Sequence, residues 1–460
     1  MSVLDRVAPR APRPGEQVRL PRSADATTLL ALFVVLQLVL PSRLVVNHLP
    51  LSLSAASIVA LGLGALWLCA QMTTTLGAAK GRSPVRTLLF TYACVLTASY
   101  ASAAFNYLPP DERAIGDHTM VTSCALILLA LAVCDGVRSL DRLYFLLRVL
   151  VVCAALVAVV GILQFLFDLD LVPNLRPPGM RFTSTEPTMG VRDGLSRAVG
   201  TTANPLEFGV FCAMMLPLAI HLAFRATRTG RGGALWSTCV VLIGAGLMFS
   251  VSRSAILAVT AAGIALLIGW PTRRRVWMVG AGLAFLLVIK IVSPGLLSTF
   301  FELFRNARND ESVQWRTHDY ATAHDLVAQH FLLGRGLGTW YAPKHEVFDN
   351  QYLLTLVDVG VIGLVAYLGV FAAALYATIR SRLLLSRIPG ERRGELVDRD
   401  LALSLAASLV VVLPTFATFD FQAFPTVSGL AFLLVGACGA LLRIVSSEAA
   451  GEPADPFAII

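Results

Sequence analysis

The 460-residue chain is 56% hydrophobic and only 14% charged, with a mean hydropathy of +0.72. A water-soluble surface needs far more charge, so this composition belongs to the membrane class. The net charge of +8 does not point to nucleic acid, because most arginines fall in short clusters between apolar runs, where positive charge sets membrane orientation.

In chain order, residues 1–26 carry Pro9, Pro12, Pro14 and Pro21 among arginines and too few apolar residues to pack a core, which predicts a disordered cytoplasmic tail. The first apolar run, Thr27 to Val46, lacks a small-residue cleavage site and reads as an anchor. Crossing about 30 Å of hydrocarbon takes roughly 20 helical residues. Runs of that kind lie at 27–46, 52–72, 87–106, 119–136, 146–167, 204–224, 234–250, 254–270, 276–292, 351–379, 401–419 and 425–443. The eight cysteines all sit inside these runs without a CxxC pair, and read as small buried hydrophobes.

Arginines mark alternate connections. Arg6, Arg10 and Arg13 in the tail, Arg82/Arg86, Arg138/Arg142, Arg225/Arg228, Arg273/Arg274/Arg275 and Arg380/Arg382 share one side; the short opposite connections hold Arg43, a mixed Asp111-Glu112-Arg113 group, and Arg253 alone. The expected fold is therefore an all-α polytopic membrane protein of about 12 transmembrane helices with both termini cytoplasmic. Helices 1–9 occupy 27–292, with an extracytoplasmic loop at 168–203. One large extracytoplasmic loop, 293–350, separates spans 9 and 10; helices 10–12 occupy 351–443, and 444–460 is a second cytoplasmic tail.

The intramembrane interior is nearly free of ionisable groups, with Glu207 and His221 near opposite ends of the sixth span and Lys290 near the end of the ninth. Proton-coupled transport ordinarily keeps acids or histidines near the midplane. Polar features gather instead at the outer ends of helices. Arg181 and Arg197 in the first outer loop, and Arg316 and Arg335 in the second, stand where topology does not ask for positive charge. They read either as substrate contacts or as members of solvated ion pairs. Asn204-Pro205 caps and opens the sixth span, with Arg197 just outside it, where a helix N-terminus favours anions. Ser250-Val-Ser252-Arg253 forms an outer hairpin whose arginine either grips a phosphate through forked hydrogen bonds or snorkels to headgroups.

Within the large loop, residues 313–330 read as an amphipathic helix. Gly334-Arg335-Gly336-Leu-Gly338 follows; without a GK[ST] it is no Walker loop, and it reads as a tight turn bringing backbone amides close to a neighbouring segment. Asp349-Asn350-Gln351-Tyr352-Leu353 then leads into the tenth span.

Arg197-x-x-Gly-Thr before Asn204-Pro205, Ser250-x-Ser-Arg253, His330-Phe-Leu-Leu-Gly-x-Gly-Leu-Gly338 and Asn350-x-Tyr-Leu before Gly360-x-x-Gly-Leu364 together resemble the O-antigen ligase/polymerase family of bacterial polysaccharide enzymes, over roughly residues 195–370. The resemblance implies a glycosyltransferase of the bacterial plasma (inner) membrane. Its donor is a polyprenyl-diphosphate-linked glycan, its acceptor a glycan or lipid, and its other partner the lipid bilayer. An acceptor hydroxyl attacks the anomeric carbon with inversion while the lipid diphosphate leaves. Neither metal nor cofactor is implied, so arginines neutralise the diphosphate: Arg197 and Arg253 match the family's outer arginines, with Arg181, Arg316 and Arg335 as further candidates. Family ligases carry His-Asn-x-Tyr-Leu where this chain has Asp349-Asn350-Gln351-Tyr352-Leu353. Asp349, positioned by Asn350 and Tyr352, then takes the place of the base, with His345 four residues earlier as the alternative; Asp349 also reads as a simple helix cap. Ligation and polymerisation remain alternatives, as does a transporter or flippase of lipid-linked sugars.

Overall fold

The computed structural model describes residues 25–49, 51–72, 83–105, 108–183, 191–192, 195–230, 232–293, 295–296, 311–341, 344–346, 348–387 and 399–450. Most of the tails expected at 1–26 and 444–460 lies outside them, but Asp25 is described and caps α1 (Ala26–Val39), accepting the Thr28 N–H at 3.0 Å. This helix ends at Val39, short of the expected 46. Leu40 is extended ahead of Pro41, and the chain continues into a strand, β1 (Leu44–Val46), paired antiparallel with β2 (Met180–Phe182).

Next come α2 (Ala55–Met72), α3 (Pro84–Phe105), α4 (Pro110–Gly136) and α5 (Leu140–Phe167). Pro110 opens α4 and places Asp111, Glu112 and Arg113, expected in a connecting loop, inside its first turn. The two-residue strands β3 (Val191–Arg192) and β4 (Leu195–Ser196) precede α6 (Pro205–Thr229), α7 (Gly233–Phe249), α8 (Arg253–Gly269) and α9 (Thr272–Val292). The loop helix is α10 (Glu311–Gln329). It is followed by α11 (Gln351–Arg387), α12 (Arg399–Val410), the one-turn α13 (Val412–Thr415) and α14 (Pro425–Ala450), which carries helix past the expected end of the last span.

Each apolar run of the sequence falls on one or, for 401–419, two of these helices. Eight among the described residues are long and apolar enough to cross a membrane: α2, α3, α4, α5, α6, α9, α11 and α14; α1, α7 and α8 are shorter apolar helices. α6 packs against α7, α8 and α12, while α14 packs against α4 and α11. α9 stands at the periphery with only Ile289 buried and Trp277, Leu283 and Ile291 exposed, the pattern of a helix whose neighbour is lipid. The chain is thus an all-α polytopic membrane protein.

The two ends of the bundle are built differently. At one end arginines close onto partners: Arg86 on Asp135 (3.2 Å), Arg142 on Asp25 (2.7 Å), Arg274 on Asp400, and Arg443 on the carbonyl of Val137. The opposite end gathers the ends of α1, α4, α6, α7, α8, α11 and α14 and the longer connections; it is called the loop end below. There Glu207 is fully buried and bridges two helix N-termini. One carboxylate oxygen accepts from Ala203 N–H (2.8 Å), the other from Thr426 (2.8 Å) and Val427 (3.3 Å). The acid inside the sixth apolar run is thus a joint between α6 and α14, satisfying helix donors that have no partner within their own helices.

α11 is broken at Gly360, whose backbone (φ 71, ψ −174) is not helical. The interruption exposes carbonyls and amides that need partners at membrane depth. The 331–336 segment supplies them. Arg335 and Gly336 N–H donate to the carbonyls of Val357 (2.8 Å) and Asp358 (2.9 Å), and Phe331 and Leu332 carbonyls accept from Val361 (2.9 Å) and Ile362 (3.3 Å). The glycine-rich turn therefore grips the next span. Gly360 is obligatory: a Cβ there would meet the Leu332 carbonyl oxygen at 2.3 Å.

Candidate active site

A half-open cavity of about 850 Å³ occupies the loop end, bounded by α1, α2, α4, the 337–348 segment, the start of α11 and the turn before α14. Phe33, Ala60, Tyr92 and Leu126 line it from α1, α2, α3 and α4, and Trp340, Glu346, Gln351, Asp358 and Asp420 complete its wall. Asp358, on the last turn before the break in α11, accepts backbone N–H bonds from Gly338 (3.1 Å) and Trp340 (3.2 Å), so it fixes the cavity wall to the glycine turn. Asp420 stands in the connection between α13 and α14. Burial, reinforced by the charge of Asp349, pushes its carboxyl up to about 7. Asp420, in the turn entering α14, thus lies within electrostatic range of Asp349, in the segment entering α11.

Asp349 itself is half-buried. The helix cap it was weighed against belongs to Asn350, whose side-chain oxygen accepts from the N–H groups of Tyr352 (3.0 Å) and Leu353 (3.3 Å). Tyr352 donates its phenol to the Leu413 carbonyl (2.7 Å), tying α11 to α13. Next to it the Gln351 N–H donates to the Phe416 carbonyl (2.7 Å), and α13 packs on α8. The start of α11 is thereby connected to the N-terminus of α8, where Arg253 lies.

Arg197 reaches the turn from which Arg253 opens α8. Its Nε donates to the Ser250 carbonyl (3.1 Å) and the Ala198 N–H to that of Phe249 (3.0 Å), stitching the chain before α6 to this 250–252 turn. The other arginines go elsewhere. Arg181, on β2, is exposed and donates to Ser52 (3.2 Å) at the cavity rim. Arg335 is committed to Glu112, gripping both carboxylate oxygens (2.9 and 2.8 Å). The Arg316 side chain lies outside the described residues.

His345 belongs to the same cluster as Arg335. Its Nε2 lies 3.1 Å from both Glu112 and Arg335, and its ring stacks on Trp340 with centroids 4.4 Å apart. Lys344 adds bonds to Asp111 (2.8 Å) and Glu112 (3.0 Å), and the hydrogen bond to Asp111 holds its ammonium above the usual lysine range. This cluster anchors the loop to the first turn of α4. Among the described residues, none of the catalytic or phosphate-binding candidates read from the sequence lines the cavity: Asp349 lies between its lining residues Phe348 and Gln351, and Arg335 and His345 hold its wall in place. Among the described residues no group of three or more His, Cys, Asp or Glu side chains is placed to hold a metal ion.

Sequence reasoning missed Asp420, Glu112 and Arg43. Asp420 is a lone acid in the aromatic stretch Phe419-Asp420-Phe421 just before the proline that opens α14, and that isolation was the available signal. Arg43, on the cavity wall, had been counted only as a topological marker.

These features define a multi-pass helical membrane protein with a loop-end cavity, a carboxylate pair beside it and an arginine-bearing hairpin. Residues 238–368, which span the hairpin, the loop and the broken helix, match the family model described as O-antigen ligase. No curated protein matches the chain.

Proposed function

We propose that the protein is a membrane glycosyltransferase that transfers or polymerises a polyprenyl-diphosphate-linked oligosaccharide at the outer face of the bacterial plasma membrane, with inversion and without a metal. In this reading the chain crosses the membrane about 12 times, and the arginine-rich end with both termini faces the cytoplasm. The observation that carries it is the carboxylate pair, Asp349 and Asp420, at the loop end that also holds the Arg197–Arg253 hairpin, with Arg253 and Asp349 both inside the family-matched segment.

In the reaction, the acceptor hydroxyl gives its proton to the carboxylate pair and its oxygen bonds to the anomeric carbon. The bond from that carbon to the diphosphate breaks, and the lipid diphosphate leaves with the electron pair, its charge met by Arg197 and Arg253. Asp420 suits the proton-accepting role because its raised pKa lies near working pH. Asn350 and Tyr352 act by positioning, through the cap and the tie to α13.

Purified full-length protein in nanodiscs, given polyprenyl-diphosphate oligosaccharide and acceptor, is expected to form the glycosidic product. Unchanged product formation after both Arg253→Ala and Asp349→Asn would sink the assigned roles. Deleting the gene separates the two reaction types: long polymer left on lipid means a lost ligase, and single repeat units mean a lost polymerase.

A further inference from the structure

The cavity wall has a hydrogen-bonding bias of its own. On α4, Ile115, His118, Thr119, Thr122 and Leu126 line it at helical spacing. Thr119 and Thr122 donate their hydroxyl protons one turn back along the helix, to the carbonyls of Ile115 (2.9 Å) and His118 (2.9 Å). What their oxygens present to the cavity is lone pairs. Glu346, Asp358 and Asp420 add carboxylate acceptors to the same wall.

Several of the wall's donors are already engaged, although the buried Ser42 hydroxyl has no partner among the described residues. Gln37 donates to the Pro425 carbonyl (2.6 Å), Gln351 to Thr355 (2.9 Å) and Gln422 to Tyr92 (3.1 Å). The Trp340 indole donates to the Glu346 carbonyl (2.8 Å), the Tyr341 phenol to Asp111 (2.8 Å) and Arg43 to the Ala203 carbonyl (2.7 Å). A wall rich in acceptors and carboxylates favours a ligand that brings O–H donors and no negative charge. A phosphate or uronate would bring further acceptors and like charge into a partly desolvated space. The volume of about 850 Å³ falls within the roughly 300–1,000 Å³ of small-molecule sites, and Trp340 and Phe348 add apolar surface for sugar C–H faces.

We infer that this cavity is the acceptor chamber and takes an uncharged, hydroxyl-rich glycan, while the donor's anionic diphosphate is held outside it at the Arg197–Arg253 hairpin. The assignment as acceptor rests on the transferase reading, but the ligand class rests on the wall.

Oligosaccharides released from the producing cell's envelope by mild acid are split by anion exchange into uncharged and anionic pools. Each is titrated against full-length protein in nanodiscs without donor lipid, following tryptophan fluorescence with Trp340→Phe to identify the signal. The uncharged pool is expected to bind saturably and the anionic pool roughly tenfold more weakly. Ser123→Phe, which fills the cavity from α4, should abolish binding; should that variant misfold, His118→Ala is expected to weaken it several-fold. Equal or tighter binding of the anionic pool, binding of neither pool, or wild-type binding in the folded variants overturns the inference. Because no turnover is read, uncharged glycan that binds the wild type but is never glycosylated overturns the transferase reading instead and leaves the ligand class standing.

Discussion

The two ends of the helical bundle solve the same problem in opposite ways. At the arginine-rich end the helices are regular and their charges are closed in pairs, as where Asp135 accepts from Arg86, Trp67 and Gln71. At the loop end α1 gives way to a strand, α11 breaks at Gly360, and a buried acid, Glu207, is shared between two helix N-termini. Irregular backbone at membrane depth persists only where protein satisfies it. The loop end therefore spends its loop, its glycines and Asp358 on holding open a cavity, whereas the other end spends its polar groups on closing the bundle. Substitutions of the loop end's charged site residues should accordingly disturb chemistry, and those of the scaffold behind them or of the charge pairs at the other end stability.

The sharpest way to break this contrast is Arg253→Ala. Removing a preorganised cation from the leaving diphosphate should lower kcat/KM by about 100-fold, with the melting temperature essentially unchanged. A variant that transfers normally would take the hairpin out of the site.

Gly360→Ala tests the scaffold behind the chemistry. An alanine must adopt a backbone conformation that only glycine takes readily and must also push a Cβ into the Leu332 carbonyl. A loss of at least about 2 kcal/mol is expected, read as a lower melting temperature together with faster proteolysis of the 331–346 segment. Wild-type stability would mean that the break in α11 is not the native arrangement.

At the opposite end, Asp135→Asn weakens the bonds from Arg86, Trp67 and Gln71. It should cost about 1–2 kcal/mol while transfer per folded molecule stays at the wild-type rate. A fall in rate without a fall in stability would erase the difference between the two ends.

How much of this was legible in the sequence follows from which forces are local. Hydrophobic runs mark helices because a membrane demands internal backbone satisfaction, and each such run contains helix here, although 27–46 is helical only to Val39 and 401–419 is divided between α12 and α13. Arginines of the alternate connections, among them Arg86, Arg142 and Arg274, collect at one end, and Arg197 reaches the turn from which Arg253 opens α8. The break at Gly360 was not legible, since no proline interrupts the run and the glycine reads as a packing residue until the loop that pairs with it is in place. Nor was the cavity: Phe33, Ala60, Thr122 and Leu126 look like ordinary span residues, and only the assembly of three helices and a loop turns them into one wall. The commitment of Arg335 and His345 to Glu112 depends on a partner more than 200 residues away in sequence, which no local pattern announces.

The smallest predicted effect is also the most discriminating. Burial and the neighbouring charge of Asp349 set the Asp420 carboxyl at about 7 against an ordinary 3.8. A raised acid binds its proton more tightly in the folded state, so its contribution to stability falls as pH rises from about 4 to about 7 and is fully unfavourable above that. As the proton acceptor it is competent only once ionised, so the transfer rate should climb through the same interval near pH 7. Replacing Asp349 by Asn removes a negative charge beside Asp420 and makes its ionisation easier. Whatever activity that variant retains should therefore show its rising limb at lower pH than wild type, and its stability should rise more as the pH falls through that interval than that of a variant lacking both carboxylates. A limb that stays in place, or moves upward, would mean that the titrating group belongs to the substrate or to another residue, and that the two carboxylates at the cavity edge do not act as a pair.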